Sequence, residues 1–212
     1  MKIGIIGAGR IGGTLAKLFS QAGHQVLVSN SRGPLTLESF AHELGPGACP
    51  GTVQEAADFG EVVVVSIPYG KYETIPAKPL AGKIVVDTMN YYPRRDGEIR
   101  ELANLTSTEL LGRHLPGARL VKTFNTMPSQ GLATGGKPEA PLEERLAHFV
   151  AADDPEARGV VERLIEEIGF TPVPTGSLRE GGRKQQPGAP VYGKQVSAKE
   201  GRQAMAPPTL RQ

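Results

Sequence analysis

Lys2-Ile3-Gly4-Ile5-Ile6-Gly7-Ala8-Gly9-Arg10-Ile11-Gly12 is the stretch that decides the fold. Ile3 to Ile6 is apolar, short and bounded by glycine, which fits a strand buried on both faces. From Ile11 to Ala22 the apolar residues fall at Ile11, Leu15, Leu18, Phe19 and Ala22, the spacing of one helical face. The G-x-G-x-x-G between strand and helix has a physical reading. Gly7 permits a tight turn, Gly9 lets the backbone approach a pyrophosphate, and Gly12 allows the helix to pack closely on the strand. The first turn of such a helix also presents unpaired N–H groups to an anion.

Working outward, the pattern repeats. Strands are expected at Gln25 to Val28, Val62 to Ile67 (stopped by Pro68), Lys83 to Asp87, Ala118 to Phe124, His148 to Ala152 and Thr171 to Val173. Helices are expected at Thr36 to Leu44, Val53 to Phe59, Ser107 to Leu115 and Pro155 to Ile168, the last with proline at its start and Gly169 at its end. Ser129 to Pro141 reads as loop. The alternation predicts an α/β fold: a Rossmann-type, doubly wound, mostly parallel sheet with helices on both faces. Ligands in such sheets sit beyond the C-terminal strand ends, here Gly7, Ser29, Ile67, Asp87 and Phe124.

The end of the second strand chooses the dinucleotide. An NAD site usually carries Asp or Glu there to bind the ribose 2′-hydroxyl. This chain has Val28-Ser29-Asn30-Ser31-Arg32-Gly33 instead. A carboxylate would repel a 2′-phosphate, whereas Ser31 and Arg32 would donate to one, the arginine through a planar, permanently charged fork. The reading is NADP(H); the alternative is a polar turn whose Arg32 faces solvent. Arg10 is placed to lie over the adenine or the phosphates.

Bulk properties narrow the class. The chain has 212 residues with a net charge of +2, which gives no reason to expect nucleic acid or a membrane surface as partner. Cys49 is the only cysteine, so neither an internal disulfide nor a cysteine-based metal site is expected. No apolar run approaches the roughly 20 residues of a membrane span and no secretory signal is evident, so the expected location is the cytoplasm. Residues 176–212 hold seven Lys or Arg against two acids, making that segment +5 and the remainder −3. The expected division is a dinucleotide-binding domain over 1–175 and a Gly/Pro-rich basic arm over 176–212. That arm is either a solvated end or a segment folding over a phosphate-bearing ligand or a partner subunit, with Lys194 to Ala204 as a short helix and a homodimer as the expected assembly.

Several of these stretches resemble one family. Gly7 to Gly12 followed by Ser29-Asn30-Ser31-Arg32, Ser66-Ile67-Pro68 and Thr126-Met127-Pro128 is similar to the NADPH-dependent deazaflavin-coenzyme reductases of archaea and actinobacteria. Asp87 to Pro93, Lys122-Thr123-Phe124-Asn125 and Gly188 to Tyr192 resemble more closely their bacterial dinucleotide-binding relatives. The cytosolic NADPH:flavin domain of the STEAP metalloreductases is a more distant likeness. The resemblance implies direct hydride transfer between a nicotinamide and a flavin-like ring without a dedicated catalytic side chain. It assigns Ser31 and Arg32 to the 2′-phosphate, Ile67 and Pro68 to a loop passing the ribose, and Met127 and Ser129 to a turn near the nicotinamide. The polar, basic C-terminal part departs from the deazaflavin reductases, which leaves a flavin, a quinone or another small acceptor open.

Ring-to-ring transfer needs stacking, alignment and exclusion of water. Tyr91, Tyr92 and Phe124 either line a flat substrate pocket or pack on the protein's own loops. Asn90 and Asn125 either bind the nicotinamide ribose or carboxamide, or cap their turns. Asp87 caps a turn or serves as the best-placed carboxylate. Lys122 is a candidate proton donor, and His24, His42, His114 and His148 read as structural or solvent-facing. Two competing functions are a reductase of small carbonyls or imines, for which a further helical domain of about 100 residues is expected, and an NADP-binding protein without turnover.

Overall fold

The computed structural model describes residues 1–206. Its core is one eight-stranded sheet in the order β3-β2-β1-β4-β5-β6-β7-β8. The strands are β1 (Lys2–Ile6), β2 (Gln25–Ser29), β3 (Ala48–Gly51), β4 (Val62–Val65), β5 (Ile84–Asp87), β6 (Arg119–Lys122), β7 (Ala147–Ala152) and β8 (Thr171–Gly176). The helices are α1 (Arg10–Gln21), α2 (Glu38–Leu44), α3 (Val53–Phe59), α4 (Pro93–Asp96), α5 (Ser107–His114), α6 (Ser129–Thr134), α7 (Pro155–Glu167), α8 (Glu180–Gln185) and α9 (Ala198–Met205). This is the doubly wound α/β arrangement, and the strand order reverses between β1 and β4, where such sheets bind their ligands.

Alternation along each strand builds two cores. Ile3 and Ile5 of β1, with Val62 and Val64 of β4, face the α1 and α7 side. Ile6, Val63 and Val65 face the α3 and α5 side. Each fully buried Val, Leu or Ile contributes about 1.5–3 kcal/mol relative to its exposed state, which is why near-continuous apolar runs suffice to specify central strands. The helix ends are fixed locally. Thr52 with Glu55, Thr106 with Glu109 and Ser197 with Glu200 form reciprocal capping boxes. The Asp154 side chain accepts from the backbone N–H groups of Glu156 and Ala157 at the start of α7.

The sheet departs from expectation in three places. β3 is an edge strand made of Ala48-Cys49-Pro50-Gly51, a composition that reads as a turn. An edge position tolerates proline because its missing N–H faces away from the ladder. The 129–141 stretch contains α6, whose Leu132 is buried against the α1 side of the core. β7 runs antiparallel to β6 and pairs with it only through Val121–Ala152 and Lys122–Ala151, so most of β7 projects past the C-terminal end of β6.

The basic C-terminal segment is attached to this projecting part. β8 extends to Gly176, one residue into the expected arm. Gln185, Val191 and Ala198 are buried, and α9 packs Gly201 against Ala147 and Phe149. Leu146 and Ser197 form an antiparallel bridge, and Gly193 N–H donates to the Thr126 carbonyl at 2.8 Å. The last part of the arm, with Arg211, lies outside the described residues. No helix among the described residues is long and apolar enough to cross a membrane, and they contain no cluster of His, Cys, Asp or Glu suited to a metal ion.

Candidate active site

A cleft runs across the C-terminal strand ends in two lobes that meet at Gly9, Ser66, Ile67 and Pro68. The glycine loop has the geometry its spacing implies. Gly7 has φ +102°, and a Cβ there would lie 2.3 Å from the Ser66 carbonyl oxygen. A Cβ on Gly12 would lie 2.0 Å from the Gly7 carbonyl oxygen, so the bare glycine is what lets α1 start against the turn. Gly9 differs: a Cβ there meets no protein atom within 4 Å, and its side of the loop opens into the cleft. Gly9 also gives α1 no side-chain cap, and the first turn holds no acid. A free helix N-terminus beside an open glycine fits a pyrophosphate.

These facts separate two glycines. Gly9→Val is expected to leave the urea midpoint of the free protein nearly unchanged while abolishing measurable NADPH binding. Gly12→Val is expected to lower stability by about 1–3 kcal/mol, because overpacked atoms must push α1 off β1. Equal stability losses in the two variants would refute the assignment.

The first lobe, about 530 Å³, is lined by Asn30, Ser31 and Arg32 after β2 and by Lys71 and Thr74 after β4. Ser31 and Arg32 therefore sit where the sequence placed them. Asn30 is committed to its own turn: its Oδ1 accepts from the Arg32 N–H at 2.8 Å and its amide donates to Thr36 Oγ1 at 2.9 Å. Lys71, which sequence reasoning missed, is a second cation on this lobe. Its position after Ser66-Ile67-Pro68 was the available signal.

The second lobe, about 370 Å³, brings together Arg10, Ile11, Ile67, Pro68, Asn90, Tyr92, Asn125, Met127 and Ser129. No residue lining either lobe is acidic, and four (Arg10, Arg32, Lys71 and Arg95) are cationic. An anionic ligand is the electrostatic complement of such a cleft.

Asn90 and Asn125 lock two strand-end turns together. Asn90 donates to the Asn125 carbonyl at 2.8 Å, and Asn125 donates to Asn90 Oδ1 at 3.1 Å and to the Gln185 carbonyl at 2.9 Å. Their amides are thus mainly structural, although both line the cleft. Phe124 is the one described non-glycine residue with positive φ, +58°. That backbone turns its ring into the core, 4.7 Å from His148 and 6.4 Å from Phe19, so it contributes to the wall without offering a stacking face. Tyr91 does not reach the cleft. It packs edge-on against Tyr69, and its hydroxyl donates to the Gly97 carbonyl.

Lys122 is also turned away. It is buried between β5 and β6, paired with Asp87 at 3.2 Å and donating to the Met89 carbonyl. Burial pulls its ammonium below the usual lysine range, with Asp87 working in the opposite direction. Asp87 further accepts from Thr108 Oγ1 at 2.6 Å and from the Met89 N–H at 2.8 Å, so it caps the turn that floors the second lobe. His148 is wholly buried between Phe124 and Phe170, and burial pushes it down to about 3, which keeps it neutral.

Tyr192 and Arg95 complete the second lobe and were not foreseen as site residues. The hydroxyls of Tyr92 and Tyr192 are hydrogen-bonded across the cleft mouth. The Arg95 guanidinium lies 4.8 Å from the centre of the Tyr92 ring.

The fold is the one that dinucleotide-binding reductases share. Residues 2–91 match the family described as NADP oxidoreductase, coenzyme F420-dependent. A hypothetical protein from Sinorhizobium meliloti is 32% identical, with 93% of this chain and 95% of that one covered and a TM-score of 0.82. The chain belongs to the same family as that protein. A candidate F420-dependent NADP reductase from an Arthrobacter species is 26% identical over 84% of this chain and 86% of its own, with a TM-score of 0.71. An imine reductase variant from Myxococcus stipitatus, solved with NAD+, is 20% identical, covers 85% of this chain and 56% of its own, and has a TM-score of 0.63; it shares the fold. No curated protein matches this chain in sequence.

Proposed function

We propose that the protein is an NADPH-dependent reductase that passes hydride directly to a flavin or deazaflavin acceptor. The observation that carries the cofactor choice is the placement of Ser31 and Arg32 in the first lobe, facing a cleft without a carboxylate. In this reading the glycine loop and the start of α1 hold the pyrophosphate, and Ser31, Arg32 and Lys71 hold the 2′-phosphate. Ile67 and Pro68 pass the ribose, and Met127 and Ser129 bound the nicotinamide. NADPH supplies the hydride; the protein aligns the two rings and excludes water between them. The match of residues 2–91 to the coenzyme F420-dependent family supports a flavin-like acceptor.

The test is NADPH oxidation at 340 nm with FMN, FAD and a deazaflavin each offered as acceptor and NADH as control. Turnover with one of them, and NADPH well ahead of NADH, is the expected result. Tight NADPH binding with none of the three reduced would overturn the acceptor assignment.

A further inference from the structure

We propose that Tyr92 donates the proton that accompanies hydride transfer, with Tyr192 of the C-terminal segment and Arg95 as its positioning residues. This rests on the reductase reading above and names a chemical group for a site that has shown none so far.

The argument begins with hydrogen-bond bookkeeping. A phenol has one proton to donate and an oxygen that accepts. Two paired phenols use one proton between them, so one O–H is left over. Arg95 stands over the Tyr92 ring, which favours charge on the Tyr92 oxygen, and we take Tyr192 as the donor within the pair. The remaining O–H belongs to Tyr92, and both residues line the second lobe with Met127 and Ser129.

The surroundings are arranged for charge on the Tyr92 oxygen. Arg95 lies 4.8 Å from the Tyr92 ring centre, and the Tyr92 oxygen is hydrogen-bonded to the Tyr192 hydroxyl. Arg95 is not free to bind an anionic ligand itself. It donates to Asp96 through Nε and Nη2, at 2.8 Å each, and to the Asn90 carbonyl at 2.7 Å. Asp96 in turn accepts from the Tyr92 backbone N–H at 2.9 Å. Burial would raise the Asp96 carboxyl, but Arg95 and the amides of Tyr92 and Gly70 outweigh it and hold it below its usual range. The assembly fixes a cation against one ring.

The chemistry calls for such a group. Hydride leaves the nicotinamide with both electrons of its C–H bond, NADPH becomes NADP+, and one new bond to hydrogen forms on the acceptor. The electron pair displaced within the acceptor comes to rest on a conjugated nitrogen or oxygen, which takes one proton from Tyr92. Tyr192 passes its own proton to Tyr92 and recovers one from solvent. The sum is NADPH, acceptor and one solvent proton giving NADP+ and reduced acceptor. A positioned acid of this kind typically contributes about 10²–10⁴-fold.

The experiment uses the full chain as wild type, Tyr92→Phe and Tyr192→Phe, with whichever of FMN, FAD or deazaflavin the wild type reduces. Phenylalanine keeps the ring and the stacking. Four readouts are needed: kcat, its D2O effect, the Kd of NADPH, and the Kd of the acceptor for the enzyme–NADP+ complex, followed by the acceptor's fluorescence. For Tyr92→Phe, kcat is expected to fall about 100-fold or more with both Kd values within about threefold, and a D2O effect on kcat is expected in the wild type and not in the variant. Tyr192→Phe, acting through Tyr92, is expected to fall by less. Unchanged kcat in Tyr92→Phe, or a loss fully matched by weaker acceptor binding, would overturn the proton role while leaving the reductase reading intact. A wild type that binds NADPH and reduces no acceptor removes both.

Discussion

Arg32→Ala will weaken NADPH binding by about 10- to 100-fold and leave NADH binding within about twofold. The size follows from a charge-assisted hydrogen bond to phosphate, worth about 1.5–3 kcal/mol, at 1.4 kcal/mol per tenfold change. The selectivity follows from geometry. Arg32 is exposed at the first lobe, and it makes no ion pair among the described residues. Its charge therefore has no competing carboxylate to desert, and the only ligand atoms that distinguish the two dinucleotides are those of the 2′-phosphate. Because the guanidinium is solvent-exposed, screening sets how much of that energy is realised. The NADPH preference of the wild type should shrink as salt is raised, and that of the variant should depend on salt much less. Lys71 lines the same lobe from the loop after β4. Its removal alone should give a smaller loss of the same sign, and Arg32→Ala with Lys71→Ala should leave the two dinucleotides nearly equal. Fluorescence titration of each reduced dinucleotide against the four proteins measures all eight constants. Parallel losses for NADPH and NADH would place Arg32 on the shared part of the ligand and sink the 2′-phosphate assignment.

The part of the molecule that was legible from sequence is the part in which local pattern and tertiary role coincide. Val62 to Val65 is apolar at every position because both of its faces are covered, and no other element explains such a run. The glycine loop was legible for a similar reason: each glycine answers a separate steric demand, and the distances at Gly7 and Gly12 are those demands. The place of Arg32 at the first lobe was legible because it follows a strand end, where such sheets open their clefts. What escaped was decided by partners distant in the chain. β3 contains Pro50 and survives only because an edge position asks for half a ladder. α6 lacks a polar cap and is held by Leu132 against the core. Tyr91 and Tyr92 are neighbours of one chemical type, and sequence offers no way to know that Tyr91 turns towards Tyr69 while Tyr92 meets a phenol 100 residues away. For Phe124 the sequence left open a pocket aromatic or a packed one, and a positive φ turns its ring into the core.

Lys122→Met is expected to destabilise the protein by about 3–5 kcal/mol, because removing one partner of a buried pair leaves the other charge uncompensated. For a chain of this size that is a fall in Tm of roughly 6–20 °C, visible by differential scanning fluorimetry. Lys122 and Asp87 are both essentially inaccessible, so water cannot take over solvation of the stranded carboxylate. The pair itself is not expected to be a large net source of stability, since desolvation of two ions offsets most of their attraction. That distinction predicts non-additivity. In Lys122→Met with Asp87→Asn the stranded charge is gone, an amide oxygen can still accept from the Met89 N–H, and much of the loss should be regained. Strictly additive losses would show that the two side chains are not coupled as their geometry requires. The consequence for the site is indirect. Asp87 ties β5 to Thr108 of α5, and through Met89 to the turn that carries Asn90 and Tyr92. Lys122 also donates to the Met89 carbonyl, so both backbone polar groups of that residue are gripped by one ion pair. Loosening the pair should therefore weaken acceptor turnover at temperatures well below the new Tm, while NADPH binding through the first lobe persists. That pattern, a site affected on one side only, separates a buried strut under the second lobe from a general loss of folding.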